Sequence, residues 1–414
     1  GYKIAIAEQL DEDPSEEKKK KKSSKLFKRD VVRIITPGTI LDESLLDSKQ
    51  YNFLTSIYLN KGKGCVSWVD MTTGVFNLKI LNNASLEIEL SELLHKIEPG
   101  EIITSEEVVN NVILKDYLKA WKEKITLIPE TFFDEKNNIE KLESFFKVSN
   151  IVSLGELSST AISVSGALIE YLRLTQKGNV PNITKLKIIK DEKFMVLDKI
   201  SSQSLELFSR INGERKGSLL DTIDYTVTPS GARMLKEQLK NPLLDIKSIN
   251  NRLDYISAFL NESSIINEAR DTLSGLPDIE RALSRIGAQL RNPRDVLIVF
   301  NFINKSLQAF KIIKKPNNSL LDELIVSQKS IENLFILCSE IKKKINEVPP
   351  LNFNDGGVIK ENVSEELDNL RNIKNLNKNK IIEFQMKYSK VTDLNNLKIK
   401  YNNFHGYFIE TSNK

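Results

Sequence analysis

The hydrophobic pattern of this chain changes character near residue 184. Before that point, short β-branched runs such as 64–70 and 74–81 alternate with segments of helical spacing such as 161–174. After it, strand signals fade, and apolar residues recur at i, i+3 and i+4 to about residue 390. The pattern predicts a multi-domain chain in which an α/β unit is followed by a large, mainly α-helical body. The two parts are expected to fold as separate units.

The N-terminal residues predict a pair of short strands separated by a polar insert. Residues 1–9 and 31–36 have strand character, and Pro37 with Gly38 stops the second strand. The residues between them are acidic and then lysine-rich, with five consecutive lysines at 18–22. This composition is typical of a solvated surface insert.

Composition argues against a membrane-spanning or secreted protein, but it does not indicate a binding partner. The 60 basic and 56 acidic residues leave a net charge of +4, which is too balanced to indicate a nucleic-acid partner by itself. No run of about 18 apolar residues predicts a membrane span, and the first residues do not have the pattern of a signal peptide. Cys65 and Cys338 are the only cysteines and are interpreted as buried thiols of a cytoplasmic protein.

The sequence contains none of the common phosphate-binding or metal-binding motifs. A P-loop needs its lysine directly after the last glycine, whereas in residues 213–217 Lys216 precedes the glycine. There is no G-x-G-x-x-G, and the two histidines, His95 and His405, are too far apart in sequence for H-E-x-x-H. We therefore expect no catalytic, cofactor-binding or metal-ligating residue in this chain.

Asp70 is the one carboxylate with a plausible catalytic interpretation. It ends a predicted strand ahead of the turn Met71-Thr72-Thr73, and a strand, an aspartate and a returning strand also begin RNase H-like nucleases, which hold divalent ions with several carboxylates. The available partners, Glu106, Glu107 and Glu170, all suit solvated positions. The favoured interpretation is that Asp70 makes hydrogen bonds within the turn.

The C-terminal part carries a local basic excess. Residues 371–407 hold eight basic and two acidic side chains, a net charge of +6, interleaved with tyrosine and phenylalanine. Phosphate contacts require only positive charge and hydrogen-bond donors. Two interpretations stay open: a surface that contacts a sugar–phosphate backbone, or a solvated helix and hairpin whose aromatic rings pack on each other.

Read in order, these segments resemble the MutS family of DNA mismatch repair proteins. Each motif is short, but they are collinear and extend over nearly the whole chain. The matching segments are 31–39 (VVRIITPGT), 70–76 (DMTTGVF), 217–220 (GSLL), 226–235 (TVTPSGARML), 241–243 (NPL), 251–253 (NRL), 278–281 (DIER), 293–295 (PRD), 355–359 (DGGVI) and 404–409 (FHGYFI).

The resemblance implies a division into four parts. Residues 1–38 would be the end of a mismatch-binding domain with its lysine-rich loop, and residues 39–183 an RNase H-like α/β connector without the nuclease carboxylates. Residues 184–377 would be a helical core with long lever helices, and residues 378–414 the first part of a small β clamp.

The family also implies a function. A homodimer encloses mismatched double-stranded DNA, ATP with Mg²⁺ drives its conformational changes, and the connector contacts a MutL-type partner. The Phe-x-Glu wedge is expected before Gly1 and the ATPase beyond Lys414, so this chain alone should have no catalytic activity. The alternative is a MutS paralogue that acts on recombination intermediates; residues 5–9 (AIAEQ) resemble the end of the wedge domain and favour the mismatch branch.

Within the clamp, the family implies contacts with the DNA backbone that do not read sequence. The basic residues and amides around the last predicted hairpin are the candidates. They are Lys398, Lys400, Asn402, Asn403 and Lys414.

Overall fold

The computed structural model describes most of the chain. The described residues are 2–9, 29–60, 62–177, 180, 183–189, 194–290, 292–314, 321, 328–351, 353–394, 396–402 and 406–411. The lysine run at 18–22 lies outside these residues.

The first two strands form an antiparallel hairpin. β1 (Ile4–Gln9) pairs with β2 (Arg29–Ile35) from Ile4 opposite Ile35 to Gln9 opposite Arg29. This confirms the two strands predicted near the N-terminus. A short 3-10 turn at Pro37–Thr39 then leads the chain towards the second sheet.

The second sheet has six strands in the order β7-β6-β3-β4-β5-β8. β3, β4 and β5 form an antiparallel meander, whereas β6 and β7 extend it in parallel on the β3 side and β8 pairs in parallel with β5. The strands are β3 (Phe53–Asn60), β4 (Lys63–Asp70), β5 (Val75–Leu81), β6 (Glu101–Thr104), β7 (Ile125–Leu127) and β8 (Leu186–Ile188). We call residues 53–188 the sheet region.

Helices cover both faces of this sheet, because its central strands are apolar on both sides. α1 (Leu86–Ile97) packs on one face over Trp68 and Ile102, and α5 (Ser159–Gln176) packs on the other over Val69 and Phe76. α5 confirms the helix predicted from the spacing of residues 161–174. The remaining helices of the region are α2 (Glu106–Val109), α3 (Lys115–Lys119) and α4 (Glu135–Phe146).

From α6 onwards the chain is mainly helical, as the change in periodicity predicts. The helices are α6 (Lys199–Ser204), α7 (Leu219–Ile223), α8 (Pro229–Lys240), α9 (Ile246–Leu260), α10 (Ser263–Leu273), α11 (Ile279–Gly287), α12 (Pro293–Ile313), α13 (Gln328–Lys344) and α14 (Glu365–Thr392). We call residues 199–392 the helical region. A mixed α/β sheet followed by a large helical region is therefore confirmed.

Local sequence sets several of these helix starts. The Thr228 side chain accepts a hydrogen bond from the Gly231 amide at the start of α8, and the Asn292 side chain accepts one from the Arg294 amide at the start of α12. Each is followed by a proline at the first helical position, where a missing N–H costs nothing.

α12 is long and apolar enough to cross a membrane by length and composition alone. That is weak evidence, because core helices of soluble proteins pass the same test. In this fold α12 packs against α10, α11 and α13. Val299, Ile303 and Leu307 from α12 form a buried cluster with Cys338 of α13.

The chain ends in a second hairpin. β9 (Lys398–Asn402) and β10 (Gly406–Glu410) are antiparallel, with Tyr401 opposite Tyr407. These strands confirm the prediction for this segment. α14 runs without a break through residues 377 and 378, the expected boundary between the lever and the clamp.

Candidate nucleic-acid interface

The structure places three of the five predicted contact residues on β9. Lys398, Lys400 and Asn402 lie at alternate positions, so they share one face of the hairpin. All three are exposed. Asn403 and Lys414 lie outside the described residues.

The two lysines differ in their surroundings. Lys400 forms an ion pair with Glu410 of β10. The hydrogen bond and charge of Lys400 hold the pKa of Glu410 below its usual value. Lys398 forms no ion pair among the described residues, so it is the less restrained of the two cations.

The opposite face of the hairpin is aromatic. The Tyr401 and Tyr407 rings lie 5.0 Å apart, and both side chains are largely exposed. The interpretation in which aromatic residues pack on each other is confirmed for this pair. The hairpin is attached to α14 by a hydrogen bond of 3.1 Å from the Ile399 amide to the Gln385 side chain.

The basic excess on α14 does not form one face. At 3.6 residues per turn, Lys374 and Lys378 lie on one side of the helix, whereas Lys387 and Lys390 lie nearly opposite. Arg371 is engaged locally, because it donates to the Ile359 carbonyl at 2.7 Å and to Asp368 at 2.9 Å. The +6 stretch therefore gives two smaller basic surfaces and not one phosphate-binding stripe.

Sequence reasoning missed the charged contacts between the two regions. Residues 42–51, which we call the strap, lead from the first hairpin into β3 and lie against the helical region. Arg281 of α11 is almost fully buried and donates from Nη2 to the Asp47 and Gln50 carbonyls, both at 2.8 Å. Arg233 of α8 is also buried and donates to the Ser48 carbonyl at 2.7 Å.

Acidic side chains of the helical region hold these arginines in place. Both oxygens of Asp278 accept from Arg233, and Glu280 forms a second ion pair with it. Burial by itself lowers the pKa of Arg233, but the hydrogen bonds and charges of Asp278 and Glu280 outweigh it and raise that pKa. Arg233 therefore stays charged although it is buried.

Further ion pairs join the regions around this centre. Arg285 of α11 contacts Glu43 of the strap at 2.6 Å and Asp295 of α12 at 2.7 Å. Lys49 of the strap contacts Asp224 at 2.8 Å. Arg233 and Arg281 occur inside two of the sequence motifs above, but a sequence motif does not show what an arginine contacts.

A cleft of about 500 Å³ next to this centre is lined by residues of both regions. Tyr51, Phe53 and Trp68 line its aromatic part. Asn77 and Lys187, which are neighbours in the β5–β8 ladder, line its polar part.

Asp70 has the structural role that the sequence favours. Its carboxylate is fully buried and accepts hydrogen bonds from the Thr72 amide and hydroxyl at 2.7 and 2.6 Å, and from the Asn52 amide at 2.9 Å. Burial raises the pKa of Asp70 above its usual value. Glu170, one possible partner, instead contacts Lys141. Within the described ranges, no cluster of three acidic, histidine or cysteine side chains could hold a metal ion.

A second buried carboxylate, Glu101, was not singled out from the sequence. It accepts hydrogen bonds from the Gly38 amide at 3.1 Å, the Thr126 hydroxyl at 2.7 Å and the Tyr171 hydroxyl at 2.8 Å. Burial and the adjacent Glu101 charge raise the pKa of Tyr171. Glu101 thus joins the 3-10 turn, the sheet and α5.

The glycine loop at residues 213–217 does not fit a nucleotide phosphate. The Gly213 amide donates to the Arg210 carbonyl, and the Gly217 amide donates to the Asp221 carboxylate at 2.9 Å. Phosphate binding needs such amides to point into an open loop. The loop is therefore a structural turn ahead of α7.

Comparison with known families gives three matches, in chain order. Residues 1–44 match MutS domain I, residues 52–184 match MutS domain II and residues 201–403 match MutS domain III. The chain belongs to the MutS family. The MutS domain II match covers most of the sheet region, and the domain III match covers most of the helical region together with β9.

Individual MutS proteins are similar to this chain along its whole length. The DNA mismatch repair protein MutS of Ehrlichia ruminantium (strain Welgevonden) is 34% identical over 414 residues, covering 100% of this chain and 50% of the relative. Those of Wolbachia pipientis wMel and Acetivibrio thermocellus are also 34% identical over 100% of this chain, covering 51% and 46% of the relative. The chain spans about half the length of these relatives.

Proposed function

We propose that this chain is the middle part of a DNA mismatch repair protein and helps to enclose mismatched double-stranded DNA. The observation that carries the proposal is the collinear match of three MutS domains along nearly all of its residues. The relatives named above are DNA mismatch repair proteins.

The sheet region is proposed to be the RNase H-like connector. The antiparallel meander β3-β4-β5, extended on the β3 side by the parallel strands β6 and β7, supports this assignment. Asp70 supports a connector without nuclease activity, because both of its oxygens accept backbone hydrogen bonds, Oδ1 from the Thr72 amide of the turn and Oδ2 from the Asn52 amide. This region would also contact the MutL-type partner.

α14 and the hairpin that follows are proposed to be a lever and the start of the clamp. The 28 residues of α14 span about 42 Å at 1.5 Å per residue, and none of them is buried. A polar helix of that length carries the hairpin away from the packed part of the helical region.

The remaining parts of the proposal rest on the family. ATP with Mg²⁺ would act in an ATPase outside this chain, the full-length protein would be a cytoplasmic homodimer, and this chain would have no catalytic activity alone. The match of residues 1–44 to MutS domain I favours the mismatch branch over a paralogue acting on recombination intermediates.

We propose that the polar face of β9 contacts the DNA backbone through Lys398, Lys400 and Asn402, together with Asn403 and Lys414. Such contacts neutralise phosphates without reading bases. Binding by this chain should lie at the weak end of the non-specific range of about 10⁻⁴–10⁻⁶ M at physiological salt.

Removing both β9 lysine charges tests this assignment. In the Lys398→Gln/Lys400→Gln variant, the log–log salt slope of binding should fall by about 0.9 for each phosphate that the protein no longer neutralises. Lys400 should contribute less than Lys398, because Glu410 already neutralises part of its charge. The measurement is a salt titration of fluorescence anisotropy on matched and mismatched duplexes.

A matched control is Lys119→Gln/Lys122→Gln in the sheet region. Lys119, like Lys400, forms an exposed ion pair, and Lys122 is exposed. This control should keep the original slope. A preference of the 414-residue chain for the mismatch, or an unchanged slope in the β9 variant, would refute the contact assignment.

A further inference from the structure

The helices that face the strap have an unusual distribution of buried side chains. On α11, Arg281 is 2% exposed whereas Leu283 and Ile286 are 49% and 41% exposed. On α8, Arg233 is 1% exposed whereas the adjacent Met234 is 62% exposed. A helix normally buries its apolar stripe and exposes its charges. The position of α8 and α11 therefore depends on what their arginines contact.

Those contacts cross from one region to the other. Arg281 and Arg233 donate to three carbonyls of the strap, those of Asp47, Ser48 and Gln50. We call these two arginines with Asp278 the clasp. Backbone carbonyls do not titrate, and a buried guanidinium that lost them would have unpaired N–H donors, although Asp278 would still balance part of its charge. Separation of the strap from the helices is therefore strongly disfavoured.

The strap is in turn part of the sheet region's own structure. The Asn52 amide, directly after the strap, donates to the buried Asp70 carboxylate, and the Asn52 side chain donates to the Pro37 carbonyl. The Tyr51 ring stacks on Phe53 at 5.1 Å, and the Arg233 guanidinium lies 5.6 Å from the centre of the same Tyr51 ring. A continuous set of contacts thus joins Arg233 and Arg281 to the core of the sheet.

We propose that the contacts between the clasp and the strap stabilise the helical region against the sheet region. The two regions then unfold as one cooperative unit. Periodicity predicts two units that fold separately, and the clasp opposes that expectation. Ion pairs of Glu98 with Lys236 and Lys240 of α8 also join the regions, so the clasp is one of several connections between them.

The two tryptophans allow a direct test in the 414-residue chain. Trp68 and Trp121 both lie in the sheet region, so tryptophan fluorescence reports its unfolding, whereas circular dichroism at 222 nm mainly reports the helical region. Urea transitions followed by both signals should coincide in the unmodified chain. In Arg281→Gln, the circular dichroism midpoint should fall by about 1 M urea while the fluorescence midpoint stays in place.

Arg294→Gln is the matched control. Arg294 also donates to a backbone carbonyl, that of Pro349 at 3.2 Å, but both residues lie in the helical region. Its two transitions should remain coincident. Arg281→Lys keeps the charge but has fewer N–H donors for the two carbonyls, so its circular dichroism and fluorescence midpoints should differ by less than those of Arg281→Gln. This variant provides the test if Arg281→Gln does not fold.

Three results would overturn the proposal. They are separate transitions in the unmodified chain, coincident transitions at the original midpoint in both Arg281 variants, and an equal fall of both midpoints in those variants. The last result would show that Arg281 stabilises the whole chain without connecting two parts of it.

Discussion

The sheet region and the helical region bury apolar side chains to very different extents. Two clusters of 22 and 14 buried residues lie on the two faces of the six-stranded sheet, one of them including Ala288 of the helical region. The clusters described within the helical region have four and three members. The sheet region therefore has a core of its own, whereas the helical region has only small local cores in the described residues.

The exposed residues show the same difference. On α9, Ile246, Ile249, Leu253, Ile256 and Leu260 recur at helical spacing and are all exposed, from 36% to 73%. The spacing that indicates a helix is therefore not a reliable indicator of burial in this chain. A helix can carry an apolar stripe that its own chain leaves uncovered.

The largest expected effect is a difference in the free energy of unfolding between a substitution at a buried apolar residue and one at an exposed apolar residue. Leu168→Ala removes a fully buried side chain between α5 and the sheet, and should lower the free energy of unfolding by about 2–5 kcal/mol. Leu253→Ala removes an α9 side chain that is 52% exposed, and should change it by no more than about 0.5 kcal/mol. Urea unfolding measures both effects, followed by tryptophan fluorescence for Leu168→Ala and by circular dichroism at 222 nm for Leu253→Ala.

The comparison would fail if the two substitutions had similar effects. A decrease above about 2 kcal/mol for Leu253→Ala would mean that the α9 stripe is covered in solution. Circular dichroism at 222 nm on the same samples checks that neither variant has lost helix before urea is added.

An intermediate effect is expected at Glu98, which pairs across the junction with Lys236 at 2.9 Å and Lys240 at 3.4 Å. Burial by itself raises the pKa of Glu98, but the charges of Lys240 and Lys236 outweigh it and leave that pKa below its usual value. A lowered pKa in the folded state means that the stabilisation is present above the ordinary pKa of about 4.3 and is lost as pH falls through the folded value. Because the carboxylate is about half exposed, we expect no more than about 1 kcal/mol.

Unfolding free energies at pH 6.5 and pH 3 measure this contribution. The difference between the unmodified chain and Glu98→Gln should be present at the higher pH and shrink at the lower one. Glu123→Gln, at an exposed carboxylate of the same region, should give no comparable change. A constant difference between the unmodified chain and Glu98→Gln at both pH values would rule out the ion pairs as its cause.

The smallest effect is expected for the lysine-rich insert. Deleting residues 14–25 should leave the melting temperature and any DNA affinity nearly unchanged, because the acidic residues before the lysines partly neutralise them. Differential scanning fluorimetry and the anisotropy assay above test this. A clear decrease in DNA affinity, reproduced by changing the five lysines to glutamine, would identify the run as a functional surface.

The sequence by itself determined most of the secondary structure. Segments such as 64–70, 74–81 and 161–174 have the predicted type because period-2 and period-3.6 patterns are local properties. The collinear motifs also identified the family. Helices α4 and α10 were not singled out individually, although Ile139, Leu142 and Phe146 of α4 and Ile265, Ala269 and Leu273 of α10 recur at helical spacing.

Only the tertiary structure decided which charges are buried and which are available. Lys398 and Lys400 look equivalent in sequence, yet among the described residues Glu410 forms its ion pair with Lys400, although Lys398 is its direct neighbour in the β9–β10 register. Arg233 and Arg281 look like surface residues of amphipathic helices, yet both are buried against strap carbonyls about 180 to 230 residues earlier in the chain. A local pattern reports which residues share a face of a helix, but the partner of that face is set by long-range packing. Here the partner is a set of backbone carbonyls of the strap, and the residues buried against it are arginines. Hydrophobic periodicity does not reveal that these arginines are buried.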